Sequence, residues 1–377
     1  MTVTPVSGFS FAFMTLLEPF HSTAIQLPNR VAMAPMTRGR ADDKTGVPHP
    51  LTAEYYAQRA CAGLIVSEGV WVTQTGKSGP GIPGLVTEQQ VAAWRAVTEA
   101  VHEKGGRIFA QLWHAGRVSH PDVMGRTPVA PSAVRQAGRI FVADSWVDTV
   151  EPRELREDEI GGVVQDFATA ARRAVEAGFD GVELHGANGY LLQEFLADNT
   201  NRRQDRYGGS VAARLRFPLE VVEAVAAQIG VAKVALRISP GNPENDIVED
   251  DWKEVYSRLL AELRRYELAY LHVIDTPEAE ALAYLRPLWP GVLIANLRSE
   301  EPTSQREGES LIEAGLADVV AFGRLFIANP DLPVRFALGA PLAQADHDVY
   351  YGARLDGYTD FPAFEPDSAK FACSARS

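Results

Sequence analysis

The sequence predicts an α/β chain folded as a (β/α)8 TIM barrel, and three observations carry that prediction. Eight short apolar runs rich in β-branched residues recur along the chain, each followed by a segment with helical periodicity. The length, 377 residues of which 46% are hydrophobic, supplies a large buried core, and α/β barrels of this size run as one unit. An open doubly wound sheet is the runner-up, but no GxGxxG follows the first strand, so its dinucleotide fingerprint is missing.

In order, the predicted strands are RVAMA at 30–34, GLIVSEG at 63–69, RIFAQLW at 107–113, GVEL at 181–184, KVALRI at 233–238, AYLHVI at 269–274, GVLIAN at 291–296 and DVVAFG at 318–323. The intervening helices are clearest at 88–105, where apolar residues recur every three and four positions, and at 159–178, which ends on a glycine suited to a C-cap. Two segments break the alternation. Residues 114–156 are too long for a simple βα turn, and alternating runs such as RIFVA predict a hairpin that forms a lid over the barrel mouth. Residues 340–377 contain YYGARLDGYTDFP and predict a tail folded back over the barrel. Residues 1–13 read as a disordered extension or an upstream start before Met14, leaving 14–362 as a single barrel domain and 363–377 as its C-terminal tail.

Composition narrows the function. A formal charge of −13, from 36 Lys and Arg against 49 Asp and Glu, gives no footprint for nucleic acid or an anionic membrane and directs attention to small molecules. Only Cys61 and Cys373 occur, without a CxxC, so neither a disulfide framework nor a thiolate zinc site is expected, and a reducing cytoplasm fits. The opening segment has no basic n-region or small-residue cleavage site, and no run approaches membrane-spanning length.

In this fold the active site lies where the strands end, so polar residues there carry the information. After strand one comes APMTRGR, with Pro35, Thr37 and Arg38; after strand two, Glu68 and Gly69. Strand three supplies Gln111, Trp113 and His114, and strand four leads into HGANGY with His185, Asn188 and Tyr190. Strand five carries Arg237, strand seven ends at Asn296, and strand eight runs into Gly323 and Arg324. Arg324 beside the strand-seven loop stands where such barrels bind phosphate, which predicts a phosphorylated cofactor. Gln111 both donates and accepts, matching a flavin pyrimidine edge, while Arg237 suits negative charge on the reduced ring and Thr37 offers a hydroxyl to the opposite carbonyl. His185 and Asn188, three apart, suit a substrate carbonyl or nitro oxygen, and Tyr190 carries a phenolic proton that it keeps at neutral pH.

These motifs resemble the old yellow enzyme family of FMN-dependent ene reductases. NRVAMAPMTRGRA, GLIVSEG, QLWHAGRVS, GVELHGANGYLLQEFLADNTNRRQDRYGGS, LRISP, AFGRLFIANPDLP and GYTDFP stand in the family's order from about Met14 to Pro362. The resemblance implies a barrel that binds FMN, is reduced by NADPH or NADH, and is reoxidised by an enone or nitro substrate, as a monomer or homodimer. It implies flavin contacts from Thr37, Gln111, Arg237 and Arg324, substrate contacts from His185 and Asn188, protonation by Tyr190, and a pocket shaped by Trp113 and Tyr351. The HxxN spacing resembles yeast enzymes and bacterial morphinone reductases. The chain departs from the family at the glycine-rich turn after strand seven, which reads Asn296-Leu297-Arg298 here, and at the tail, which reads YGARLDG. Arg298 is expected to add charge near the phosphate.

Structural readings stand beside these. His114 reads as a holder of the lid loop, and NRRQDRYGGS at 201–210 as a solvated loop without chemistry. A metal-dependent barrel hydrolase needs an HxH after strand one, which is missing. Another FMN barrel, such as a hydroxy-acid oxidase or dihydroorotate dehydrogenase, would use different acid–base residues.

Overall fold

The computed structural model describes residues 14–143 and 145–365; the proposed 1–13 extension, Cys373 and the tail from 366 onward lie outside the described residues. Eight parallel strands close into a barrel: β1 (Val31–Met33), β2 (Leu64–Trp71), β3 (Ile108–Trp113), β4 (Gly181–Gly186), β5 (Val234–Ile238), β6 (Tyr270–Asp275), β7 (Leu293–Leu297) and β8 (Val319–Phe322). Each stands where an apolar run predicts it. The strands are buried on both faces because helices cover the outside and side chains fill the inside, so they read as continuous apolar runs rather than alternating ones.

The covering helices are amphipathic. Glu88–Glu103 starts on a capping box between Thr87 and Gln90, and Glu157–Glu176 buries Ile160, Val163, Val164, Phe167 and Ala171 toward the barrel. At the N-terminal end, a short hairpin pairs Phe20–His21 with Gln26–Leu27, and Ile25 and Leu27 pack among the inward-facing Val66, Phe109, Tyr270 and Ile294. This closes the end opposite the strand-end site.

Two strands run further than their apolar runs suggest. β2 continues through Glu68 and Gly69 to Trp71, with a register shift between Val66 and Gly69, and β4 continues through His185 to Gly186. Both extensions follow from backbone pairing, which is indifferent to side-chain polarity: Trp71 pairs with Trp113, and His185 pairs with Arg237.

The segment after β3 contains the expected antiparallel hairpin, Arg139–Val142 with Ser145–Asp148. Val129–Ala130 also pairs in parallel with Arg153–Glu154, tying the ends of the insertion together. The 201–210 loop differs from its expected solvated character, because Asn201, Arg203 and Tyr207 are buried. Arg203 donates to the carbonyls of Pro131 at 2.8 Å and Leu155 at 2.5 Å while its other edge pairs with Asp205, so this loop fastens the insertion to the barrel. Arg38 behaves similarly at the other side of the mouth. Its guanidinium turns away from the barrel axis and donates to Val349, Tyr350 and Gly357 carbonyls of the C-terminal segment, which folds over the barrel as expected.

Candidate active site

The C-terminal mouth of the barrel opens into a cavity of about 740 Å³. Most of the residues singled out line it: His185, Asn188 and Tyr190; Pro35, Thr37, Gly69, Gln111, Arg237, Asn296, Gly323 and Arg324; Trp113 and Tyr351, whereas Arg38, Glu68 and His114 from the strand ends do not. Residues some 300 positions apart meet here only because the sheet closes on itself.

HGANGY makes a sharp turn out of β4. Asn188 and Gly189 have φ of +56° and +73°, left-handed values that asparagine and glycine tolerate best. The turn is held from β5 and its loop: Asn188 N donates to Ser239 Oγ at 2.8 Å, and Asn245 Nδ2 donates to Asn188 O at 2.8 Å. Tyr190 then lies at the start of helix Leu191–Leu196, its ring packed edge-on against Trp113 with centroids 4.7 Å apart. Trp113 in turn presses on Gly69, where a Cβ would come within 2.5 Å of the indole. The absence of a side chain at 69 is what admits the indole.

Electrostatics separate the roles of these groups. His185 is buried and its Nδ1 has no hydrogen-bond partner among the described residues. Burial, with Arg237 nearby, pulls its pKa down to about 3, so the imidazole is neutral. Burial, reinforced by the charge of Glu244, holds the Tyr190 phenol well above its ordinary value, so its proton stays on Oη. His114 is neutral and structural: its Nδ1 accepts from Gly116 N at 3.1 Å and its carbonyl caps Leu191 N.

Deeper in the barrel, the network extends to residues the strand-end reading passes over. Gln111 Nε2 donates to Glu183 Oε1 at 2.8 Å, and Glu183 Oε2 lies 2.8 Å from His272 Nδ1. Burial disfavours the Glu183 charge, but His272, Arg237 and Gln111 outweigh it and hold the carboxyl below its ordinary pKa. Arg237 Nη2 donates to Asn296 Oδ1 at 2.6 Å, while its buried Nε has no partner among the described residues. The sequence signal for Glu183 and His272 is a charged or polar residue inside an apolar strand, and Glu183 shares a barrel face with His185 by the two-residue period. Glu68, within β2, accepts from Arg38 N and Gly39 N and so steadies the loop carrying Thr37.

Near the strand-seven turn the expectation for Arg298 fails. Its guanidinium points to Asn242 Oδ1 and Glu244 Oε2 across the mouth, where a carboxylate satisfies the charge. Arg324 stays on the expected side, donating to Ser299 O at 2.8 Å and to Glu300 O.

The donor set fits a flavin mononucleotide: a buried arginine with a spare N–H beside Gln111 for the heterocycle edge, and Arg324 beside Ser299 and Thr303 for the phosphate. Among the described residues, no group of three or more His, Cys, Asp and Glu side chains is placed to hold a metal ion.

Comparisons with known proteins agree with this geometry. The 12-oxophytodienoate reductase 1 of Oryza sativa subsp. japonica is 39% identical over 379 aligned residues, covering 97% of each chain. A flavin oxidoreductase of Emericella nidulans is 40% identical, covering 92% of this chain and 97% of its own. Among solved structures, the old yellow enzyme homologue from Zymomonas mobilis superposes with a TM-score of 0.88 at 39% identity, over 92% of this chain and 99% of that one. Morphinone reductase superposes with a TM-score of 0.88 at 44% identity, over 94% and 98%. Residues 15–343 match the NADH:flavin oxidoreductase / NADH oxidase family, to which the chain therefore belongs, as an FMN-dependent, NAD(P)H-using flavin oxidoreductase of the old yellow enzyme type.

Proposed function

We propose that this oxidoreductase is an ene reductase acting on α,β-unsaturated carbonyl and nitro compounds, with residues 14–362 as one catalytic unit. FMN held by Gln111, Arg237, Thr37 and Arg324 would supply hydride exchange between NAD(P)H and the β-carbon of the alkene, in ping-pong order. The observation that carries the reading is the joint placement of a neutral His185, the Asn188 amide and a protonated Tyr190 on one wall of the cavity.

His185 and Asn188 donate to the substrate oxygen and stabilise the negative charge that develops there as hydride reaches the β-carbon. Kept neutral by burial and by Arg237, the imidazole still has one N–H to donate there. Tyr190 holds its proton at Oη until the α-carbon becomes basic enough to take it. Gln111, Arg237 and Thr37 hold the flavin edge, with Asn296 fixing the Arg237 fork. Arg324 and the Gly323 turn would serve the phosphate, and Pro35 and Gly69 line the same cavity as cofactor-side residues. Trp113 backs Tyr190, and Tyr351 on the C-terminal segment stands exposed at the pocket rim.

Anaerobic addition of NADPH is expected to bleach the flavin absorbance, and cyclohex-2-enone to restore it. Bleaching without recovery would leave the flavin oxidoreductase intact and remove the alkene as its acceptor.

A further inference from the structure

We propose that Asn242 is a positioning residue that sets which face of the Asn188 amide meets the substrate oxygen. The proposal rests on the ene-reductase reading above and adds a residue on the β5 loop that touches no substrate itself.

The argument follows donors and acceptors along a chain of side chains. A guanidinium and a backbone N–H can only donate. Arg298, from the unusual strand-seven turn, and the backbone N of Glu244, at 3.2 Å, both point at one atom of the fully buried Asn242 side chain, which must therefore be its oxygen. The Asn242 nitrogen is then left facing Asn188, and it lies 3.2 Å from the Asn188 oxygen. With that oxygen occupied, Asn188 has its NH2 group free for the cavity that it lines. An unconstrained amide would present either face, and the wrong face sets an acceptor against the substrate oxygen. Asn242 itself is held in place by its backbone N–H to Ser239 O at 3.2 Å, and Ser239 Oγ accepts from Asn188 N. Arg298 thus takes a part in substrate orientation from a turn expected to serve the phosphate.

The test is an isosteric reversal. Asn242→Asp keeps shape and suits Arg298, but it replaces the donor facing Asn188 by an acceptor. Asn188 then turns its NH2 group toward position 242 and its oxygen toward the substrate. The measurement is the apparent dissociation constant for cyclohex-2-enone, taken from the concentration dependence of flavin reoxidation in stopped flow. Asn242→Asp is expected to weaken it about tenfold, and the same substitution made on top of Asn188→Ala is expected to change it less than about twofold. A simple repulsion between the new carboxylate and the substrate oxygen would act equally in both backgrounds, so equal losses overturn the proposal, as does an unchanged constant in the single variant. Should Asn242→Asp fail to retain flavin, Asn242→Ser replaces it: a smaller loss confined to the Asn188 background supports the proposal, and a loss equal in both overturns it. A wild-type protein whose bleached flavin is not restored by the enone would instead overturn the ene-reductase reading itself.

Discussion

At the scale of single residues, burial fixes the protonation of His185 and Tyr190. Burial holds His185 neutral, with a pKa of about 3, far from the ordinary imidazole value. Enone reoxidation should therefore show no inflection near pH ~6.5 between pH 5 and 8, read as the second-order rate constant in stopped flow; a rise as the pH falls through that value would mean a charged His185 acts. Tyr190 keeps its phenolic proton against Trp113. Tyr190→Phe should slow reoxidation by cyclohex-2-enone by about 10²-fold, the lower range for a lost general acid, while reduction by NADPH proceeds as before. Slowing of the reductive half instead would assign Tyr190 to nicotinamide binding. These residues are legible in the sequence because each ends or interrupts an apolar run. Their partners are less so: Asn242, Asn245 and Ser239 look like ordinary loop residues, and only the meeting of the β4 and β5 loops gives them work.

At the scale of elements, strands and loops share the site: Gln111, His185 and Arg237 lie within β3, β4 and β5, while Asn188 and Tyr190 leave on the loop after β4. The shift of register in β2 puts Gly69, rather than a bulky neighbour, against the Trp113 ring. The insertion after β3 is fastened by the loop at 201–210 and by Arg117 and Ala137, which donate to the β5 loop at Asn245 and Asp246. Arg203 is buried and satisfies Pro131 and Leu155 carbonyls while paired with Asp205. Arg203→Met should lower stability by about 3 kcal/mol, because it strands a carboxylate and two buried acceptors; a denaturation midpoint unchanged from wild type would show that the insertion holds without it. The NRRQDRYGGS segment reads as solvated from composition, since polar and charged residues usually are. Arg203 inverts that expectation because carbonyls of a distant segment replace its water, and no local pattern announces such a partner.

At the scale of the whole molecule, closing the barrel around polar loops leaves carboxyls without solvent. Glu194 is fully buried, its Oε1 accepting from Arg117 N at 2.8 Å and its Oε2 without a partner among the described residues. Burial pushes it up to about 8, and Glu249, likewise buried, to about 7. In the unfolded chain such groups lose their protons near pH ~4.3. The folded protein therefore binds more protons than the unfolded one between those values, and this contribution to stability is lost as the pH rises through 8. Glu194→Gln, which cannot ionise, should gain on wild type as the pH rises from 5 to 8, by on the order of 1–3 kcal/mol in urea denaturation. A difference that stays constant with pH would remove Glu194 as its source.

The amino-acid sequence by itself determined the barrel, because eight apolar runs of strand length can be buried together only by covering both faces, and it determined the wall of the site, because HGANGY and the other polar strand ends interrupt those runs. The tertiary structure alone decided what each polar group faces. It turned Arg298 from the phosphate side to Asn242 and Glu244, buried Arg203 under the insertion, and put Glu183 between Gln111 and His272. A run of apolar residues declares its own burial, whereas a hydrogen bond needs two partners, and the second partner in each case comes from a distant part of the chain.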